Sequence, residues 1–498
     1  MLLLLAAFFA YFVYYIVDFY RIVRKYPKGP TPLPFIGNFH QLTQGEFFRD
    51  FERFREEYGS VFTVFMPEPL VVLADHESVK EAMTAKGDDF SDRPTTIANE
   101  MLMFAPNAGV ISSNGHEWQV QRRTSIAILR DFGMGKNRME KLVHSSIEEY
   151  LNYLDNIEDK DRVNLRWPIQ IMVANIINET LYGFRYAYND SGRLMDYVNN
   201  FDKNVIAMTE SKGLLFAMRF PFVRHIPILN RYMITWLHDD STTLFDHSLK
   251  SIEQAKESYN AGDDPSCYVH AYLDKIREEG TGDGVLSETQ LAANCNDFFI
   301  AGQETTSNTL RWGMLFFAAN QDVQEKVRAE VNAVVPRDRL PSMADKPRMP
   351  YTVAAVHEVQ RCANILPVNF VIFRQTRTDT KVQGKDIPAG TMVYEDIHQI
   401  LAKDEHFEKP NEFRPERYLA EDGKTLRKDL VERTIPFGLG KRQCAGEGLA
   451  RVELFLGIAA TLQRYRILPP VDGSGIDLEP QLLQVLLSKP HELKIVPV

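Results

Sequence analysis

Apolar residues run without a break from Leu2 to Val17 and end at Asp18, with Arg21, Arg24 and Lys25 directly behind. A helix that spans a bilayer needs about 20 largely apolar residues, with a range of about 17 to 25, so this run lies near the lower limit. A cleaved signal peptide would carry cations before the apolar stretch and small residues at a cleavage site after it, and neither is in place. With the cations behind the run, the positive-inside rule leaves the N-terminus outside and the bulk of the chain in the cytosol. Residues 1–20 are therefore expected to form an uncleaved membrane anchor. Residues 21–38 follow as a basic, proline-rich hinge, in which Pro27, Pro30, Pro32 and Pro34 restrict φ and stop the helix from running on. The segment reads either as a stiff spacer or as a plain loop.

Beyond the hinge the period changes. "VFTVF" at 61–65 and "LVVLA" at 70–74, separated by two prolines, predict a β-hairpin, and Asp75 then caps a short helix. After residue 115 a period of 3.6 dominates and predicts helices near 116–130, 138–155, 166–182, 192–210, 230–259, 287–319, 322–334, 351–361 and 445–464. Short strands return near 370–395 and 480–497. The pattern predicts a mainly α fold with small β-sheets set to the side (α+β). In the longest helical segment Ser287 and Gln290 have the spacing of a capping box, and no proline follows until Pro336. Within it, "AGQETTSNT" at 301–309 carries Gly302, Thr305, Thr306 and Ser307, all weak helix formers. A threonine hydroxyl there can bond a carbonyl one turn back and open a local gap. Helical spacing sets Asp297, Ala301 and Thr305 on one face. Taken alone, the same residues also suit the polar face of a helix end.

Composition narrows the class. The chain has 498 residues, 44% hydrophobic and 25% charged, with no Gly/Ser-rich or Pro-rich linker in the interior, so residues 39–498 are expected to form one large domain. A formal net charge of -10 argues against general nucleic-acid binding. The cysteines, Cys267, Cys295, Cys362 and Cys444, show no C-x-x-C spacing, which fits neither a disulfide framework nor a structural zinc site and suggests a reducing compartment. The absence of a G-x-G-x-x-G or P-loop stretch argues against a built-in nucleotide domain.

Cys444 stands apart from the other three. It lies in "FGLGKRQCAG" at 437–446, among glycines and cations and directly before an apolar helical pattern. Free N–H groups and the positive end of the helix dipole favour an anion there, and Lys441 and Arg442 are expected to add positive potential. Gly438, Gly440 and Gly446 allow close backbone approach to a flat group or to the sulfur. A stabilised thiolate of this kind suits the single protein ligand of a haem iron. A nucleophilic cysteine, which needs a histidine brought in by folding, and a structural cysteine remain open at this point.

The stretch resembles the haem-binding signature of the cytochrome P-450 superfamily, F-x-x-G-x-R-x-C-x-G, matched by Phe437, Gly440, Arg442, Cys444 and Gly446. "AGQETT" resembles the family's oxygen-activating motif, Glu358 and Arg361 its E-x-x-R pair, "FRPERY" at 413–418 its meander, and Trp118 with Arg122 its W-x-x-x-R. The resemblance covers the whole chain, including the hinge, and points to the microsomal animal members that oxidise drugs and lipids. It implies the cytochrome P-450 fold and a haem-thiolate monooxygenase domain over 39–498 with haem b. It implies Cys444 as iron ligand, and Trp118, Arg122, Arg374 and Arg442 as partners of the haem propionates. By the same resemblance Phe437, Gly446 and Ala301 stand beside the cofactor, Thr305 with its acidic neighbour Glu304 serves dioxygen activation, and Glu358, Arg361 and Arg417 form a buried structural triad. The substrate pocket would draw on 97–111, 201–222, 365–372, 482–486, Asp297, Phe298 and Ala301, and take a lipophilic molecule such as a fatty acid, steroid or xenobiotic. Electrons from NADPH would arrive through a separate flavoprotein reductase, with cytochrome b5 a second donor, docked on a face built from Arg122, Arg123, Arg130, Lys136 and Lys441. The implied location is the endoplasmic reticulum membrane, with the catalytic domain facing the cytosol. A peroxide isomerase or dehydratase of the same fold is the alternative, which the intact Glu304-Thr305-Thr306 opposes, and a non-catalytic haem sensor is another.

Overall fold

The structure is a computed structural model that describes residues 2–43, 47–66, 68–95, 103–132, 137–279, 285–366, 372–482 and 485–498. The apolar N-terminal run is helical over Leu2–Val23, so the helix carries on past Asp18. Among the described residues it is the single helix long and apolar enough to cross a membrane. Its last turns dock onto the globular part: Tyr15 stacks on Phe35 at 4.6 Å, Phe19 meets Phe65 edge-on at 6.0 Å, and the Tyr20 hydroxyl donates to the Pro32 carbonyl. The proline segment is not a free spacer. Asn38 is fully buried and ties it to the first strand, with Nδ2 donating to the Pro30 carbonyl at 3.0 Å and Oδ1 accepting from the Phe65 N–H at 2.7 Å.

The hairpin strands Val61–Met66 and Glu68–Leu73 pair antiparallel, with Val64 opposite Leu70. Strand Met392–Glu395 adds parallel to the second of them, Leu73 opposite Glu395, and Arg374–Gln375 closes the sheet antiparallel, Arg374 opposite Val393. The short strands Tyr465–Leu468 and Lys494–Pro497 form a separate pair. Alternate residues of the hairpin face two apolar clusters, Val61, Val71 and Leu73 on one side and Phe62, Val64, Leu70 and Val72 on the other. The sheet is therefore buried on both faces.

The helical part is organised around Glu288–Ala319, a 32-residue helix about 48 Å long. Its main partners, Arg166–Tyr182 and Glu447–Arg464, are apolar on nearly every face. A helix of that kind has no side to turn to water and settles in the interior. Ser287 caps the central helix by accepting from the Gln290 N–H at 3.2 Å. The Gln290 side chain, expected to complete the box, instead accepts from the Gly109 N–H at 3.0 Å and so pins an adjoining loop. The expected threonine bonds one turn back are present at 301–309: Thr305 and Thr309 donate to the carbonyls of Ala301 and Thr305 at 2.7 and 2.8 Å, and the segment stays helical throughout. The expected helix at 230–259 is divided, with Pro227–Asn230 and a wider turn at Arg231–Thr235 before Trp236–Glu257. Helices at Phe47–Tyr58 and Tyr268–Glu279 are additions to the sequence reading.

Candidate functional site

A cavity of about 310 Å³ separates the central helix from the cysteine loop. Asp297, Ala301 and Thr305, the residues placed on one face by helical spacing, all line it from above, together with Phe298, Thr306 and Thr309. Phe437, Cys444 and Gly446 line it from below. Arg93, Arg122, Arg374 and Arg442 also line it, close enough that their charges act on one another.

The loop that carries Cys444 is shaped by close packing. Gly440, at φ +77°, presses against the Met83 carbonyl so tightly that a Cβ would stand 1.8 Å from its oxygen. The Cys444 N–H donates to the Phe437 carbonyl at 3.0 Å, closing the loop under the sulfur. The helix begins at Glu447, three residues on, and the N–H groups of Gly446 and Glu447 bond the sulfur. Cys444 is accessible through the cavity, yet burial pushes its thiol pKa up, opposed by those N–H groups and by Arg122. The cations differ from the expectation. Lys441 is drawn off to the surface by Asp88, and Arg442 lies over the Trp118 ring at 3.7 Å. Arg122 is the guanidinium that acts on the sulfur.

Arg442 is buried and donates through Nε to the Ser91 carbonyl at 2.7 Å and through Nη2 to the Ser113 carbonyl at 2.6 Å. Burial and the neighbouring Arg374 and Arg122 push its pKa down to about 8. Arg93, which the sequence reading missed, is buried among the same groups and donates to the Phe373 carbonyl at 3.0 Å. Burial and three neighbouring guanidiniums, Arg374, Arg442 and Arg122, hold its pKa well below the usual arginine range. Arg122 donates to the Gln443 carbonyl. Arg374 is a buried strand residue whose Nε donates to Glu395 at 2.6 Å. Two donors at this end, Trp118 Nε1 and Arg374 Nη1, are buried without a hydrogen-bond partner. Crowded guanidiniums with idle donors are a site that lacks anions. Two carboxylates carried on a flat ring above Cys444 would supply them, so the residues present fit a haem.

The acids are arranged otherwise than the sequence suggested. Thr305 faces the cavity, but Glu304 turns away from it into a polar cluster with Gln170, whose Nε2 donates at 3.2 Å. Burial, and then the charge of Asp202, raise the Glu304 pKa, while Arg311 and Arg166 oppose. The acid that lines the cavity beside the threonines is Glu453, on the helix after the cysteine, bonded to Thr306 and pushed up to about 8 by burial. It was legible as a lone acid in the apolar run "RVELFLG". Asp297 accepts from the N–H groups of Val110 and Ile111 at 2.7 and 2.9 Å and so latches that loop to the central helix. Burial lifts its pKa to about 7.

Of the expected pocket stretches, Val110, Ile111, Ile365, Leu366 and Ile372 line the cavity. Residues 96–102, 367–371 and 483–484 lie outside the described residues, as does Lys136, and no described residue of 201–222 lines it. Arg123 and Arg130 are exposed. Glu358, Arg361 and Arg417 meet in one buried cluster that does not itself line the cavity, with Glu358 accepting from both arginines at 2.8 to 3.0 Å. Cys267, Cys295 and Cys362 are free thiols.

The sequence pattern of the family described as Cytochrome P450 matches residues 27–495. The chain is 33% identical over 475 residues to cytochrome P450 2H2 of Gallus gallus, covering 95% of this chain and 94% of that protein. It is 32% identical over 463 residues to cytochrome P450 2G1 of Oryctolagus cuniculus, covering 92% and 90%. To cytochrome P450 2A6 of Homo sapiens it is 31% identical over 466 residues, again 92% and 90%. A cavity between a lone cysteine and a threonine-bearing helix, a cluster of arginines lacking anions, and these likenesses agree: the chain belongs to the cytochrome P450 family and is a haem-thiolate monooxygenase.

Proposed function

We propose that this monooxygenase inserts one atom of O2 into a lipophilic substrate, with Cys444 as the thiolate ligand of a haem b and with electrons delivered from NADPH by a separate flavoprotein reductase. The observation that carries the reading is Cys444 at the floor of the cavity, under the face formed by Ala301 and Thr305. When bound, the haem supplies the reductive activation of dioxygen. The chain's own residues do the rest. Gly446 and Glu447 N–H groups and Arg122 favour the ionised sulfur against the burial that raises its thiol pKa, and ionisation would be completed on binding iron. Arg93, Arg122, Arg374, Arg442 and Trp118 hold the propionates through charge-assisted bonds. Thr305 organises water beside the reacting group, a better role for a hydroxyl than that of an acid. Glu304, the acidic neighbour of Thr305, accepts from Gln170 and acts on that turn of helix through its charge rather than by facing the substrate.

Phe298, Leu366 and Ile372 make the wall apolar, which favours a fatty acid, steroid or xenobiotic. Asp297 serves as a latch for the 110–111 loop and leaves substrate recognition to shape. The helix Leu2–Val23 anchors the chain in the endoplasmic reticulum membrane, with residues 39–498 as the catalytic domain on the cytosolic side. Arg123 and Arg130 belong to a basic face for the acidic surface of the reductase, and of cytochrome b5. The test is the carbon monoxide difference spectrum of the reduced protein. A thiolate-type band is expected, and it should be lost in Cys444→His while haem remains bound. A thiolate-type band surviving that substitution would remove Cys444 from the role. Turnover of a lipid or xenobiotic panel with NADPH and reductase supports the monooxygenase route, and turnover confined to hydroperoxides would replace it with peroxide rearrangement.

A further inference from the structure

The arginine end of the cavity holds more charge than the proposed cofactor calls for. Four guanidiniums converge there, and a haem brings two carboxylates. The chain sets a carboxylate of its own among them. Glu395 ends the strand Met392–Glu395, and Arg374 stands opposite Val393 on the neighbouring antiparallel strand. Glu395, two residues on from Val393, is therefore the diagonal neighbour of Arg374 on the same face of the sheet. Its Oε1 accepts from Arg374 Nε at 2.6 Å, and the two side chains are 9% and 5% exposed. Each partner keeps one end unused: Arg374 Nη1 and Glu395 Oε2 are buried without a hydrogen-bond partner, and both residues line the cavity. Glu395 also lies near Gly438 of the cysteine loop, where a Cβ would stand 3.6 Å from Oε2. Its charge reaches Arg93 as well.

We propose that Glu395 is the internal counter-charge of the arginine cluster and the positioning residue of Arg374. It grips the Nε edge of the guanidinium so that Nη1 stays free for a haem carboxylate, and it cancels one of the four cations, which lowers the haem reduction potential. This rests on the haem reading above. An anion beside the haem disfavours the incoming electron and a cation favours it. A unit charge felt across about 10 Å at an effective dielectric constant of about 20 changes an equilibrium by roughly an order of magnitude.

The experiment uses full-length, haem-loaded protein and compares Glu395→Gln, Arg374→Gln and the double variant. Midpoint potentials come from spectroelectrochemical titration, haem content from a haemochrome assay, and folding from thermal melts. Glu395→Gln keeps the shape and an acceptor, and should raise the ratio of reduced to oxidised haem about fivefold to tenfold at a fixed ambient potential. Arg374→Gln should move the ratio the other way, and the double variant should return close to wild type because the removed charges cancel. A haem-loaded Glu395→Gln protein with the wild-type potential overturns the proposal, as does a double variant shifted as far as Glu395→Gln alone. Where Glu395→Gln does not fold, Glu395→Asp decides. The charge is kept, so the potential should hold while haem transfers faster to an acceptor protein, and unchanged transfer overturns the positioning role. A wild-type chain that takes up no haem would strike the underlying haem reading instead.

Discussion

Replacing Glu358 by Gln removes one charge from a place where water cannot take over. The carboxylate accepts from Arg361 through Nε at 2.8 Å and Nη2 at 3.0 Å, from Arg417 Nε at 3.0 Å and from the Arg414 N–H at 2.8 Å. The side chains of Glu358, Arg361 and Arg417 are 0%, 1% and 2% exposed. Glutamine keeps the shape, but its NH2 group faces a donor and two guanidiniums lose their counter-charge. Removing one partner of a buried pair costs about 3–5 kcal/mol, a large share of a total stability of about 5–15 kcal/mol. At about 2.1 cal/mol/K per residue, a two-state unfolding of all 498 residues carries an entropy of about 1 kcal/mol/K. The melting temperature should therefore fall by about 3–5 °C. Replacing all three residues by apolar ones should not recover it. Arg361 also donates to the carbonyls of Leu401 and Pro410, and Arg417 to those of Lys409 and Glu412, which would be left unpaired. Calorimetry at one fixed scan rate is the assay, with haem retention alongside, because a chain of this size unfolds irreversibly. A Glu358→Gln protein that melts within about 1 °C of wild type refutes the reasoning.

Three further substitutions separate local causes. Gly440→Ala should cost more than Gly438→Ala: both glycines have positive φ, a strain of about 1–3 kcal/mol for alanine, but only at 440 would the Cβ meet backbone, the Met83 carbonyl. Paired melts and haem content check the order. Glu453 has a folded pKa pushed up to about 8 by burial. Its contribution to stability is full below about 4.3 and is lost as pH rises through about 8. Glu453→Gln should therefore gain on wild type as pH rises above about 4.3, with the gain levelling off near 8, seen as a flatter plot of melting temperature against pH. Asp297→Asn keeps an acceptor for Val110 and Ile111 and should leave proteolysis of residues 103–114 unchanged. Asp297→Ala leaves two part-buried N–H groups without their acceptor, at up to about 1–3 kcal/mol each, and should speed it.

The helices were legible where an apolar pattern persisted, and the ends of Arg166–Tyr182 and Gly192–Glu210 match the periodic segments residue for residue. Phe47–Tyr58 was equally readable, since Phe47, Phe51, Phe54 and Tyr58 recur at helical spacing, but its charged residues mask the stripe. The tether of the hinge was not legible, for a different reason. Proline fixes φ but not the partners of the backbone, and what tethers the segment is Asn38 bonding to Phe65 across 27 residues of sequence.

The site divides along the same line. Residues separated by one helical turn, such as Asp297, Ala301 and Thr305, or by a tight loop, such as Phe437 and Cys444, were grouped by spacing alone. Charges were not, because a charge is read as exposed until a partner distant in sequence appears. Arg93 has no periodic context at all, and Glu395 became a partner for Arg374 only through strand register. Glu304 shows the converse case. The family resemblance paired it with Thr305, yet consecutive helical residues point about 100° apart, and here Thr305 lines the cavity while Glu304 meets Gln170 on the neighbouring helix. The residue whose carboxyl can share the cavity with this threonine face must come from another element, and Glu453 on the helix after the cysteine meets that condition.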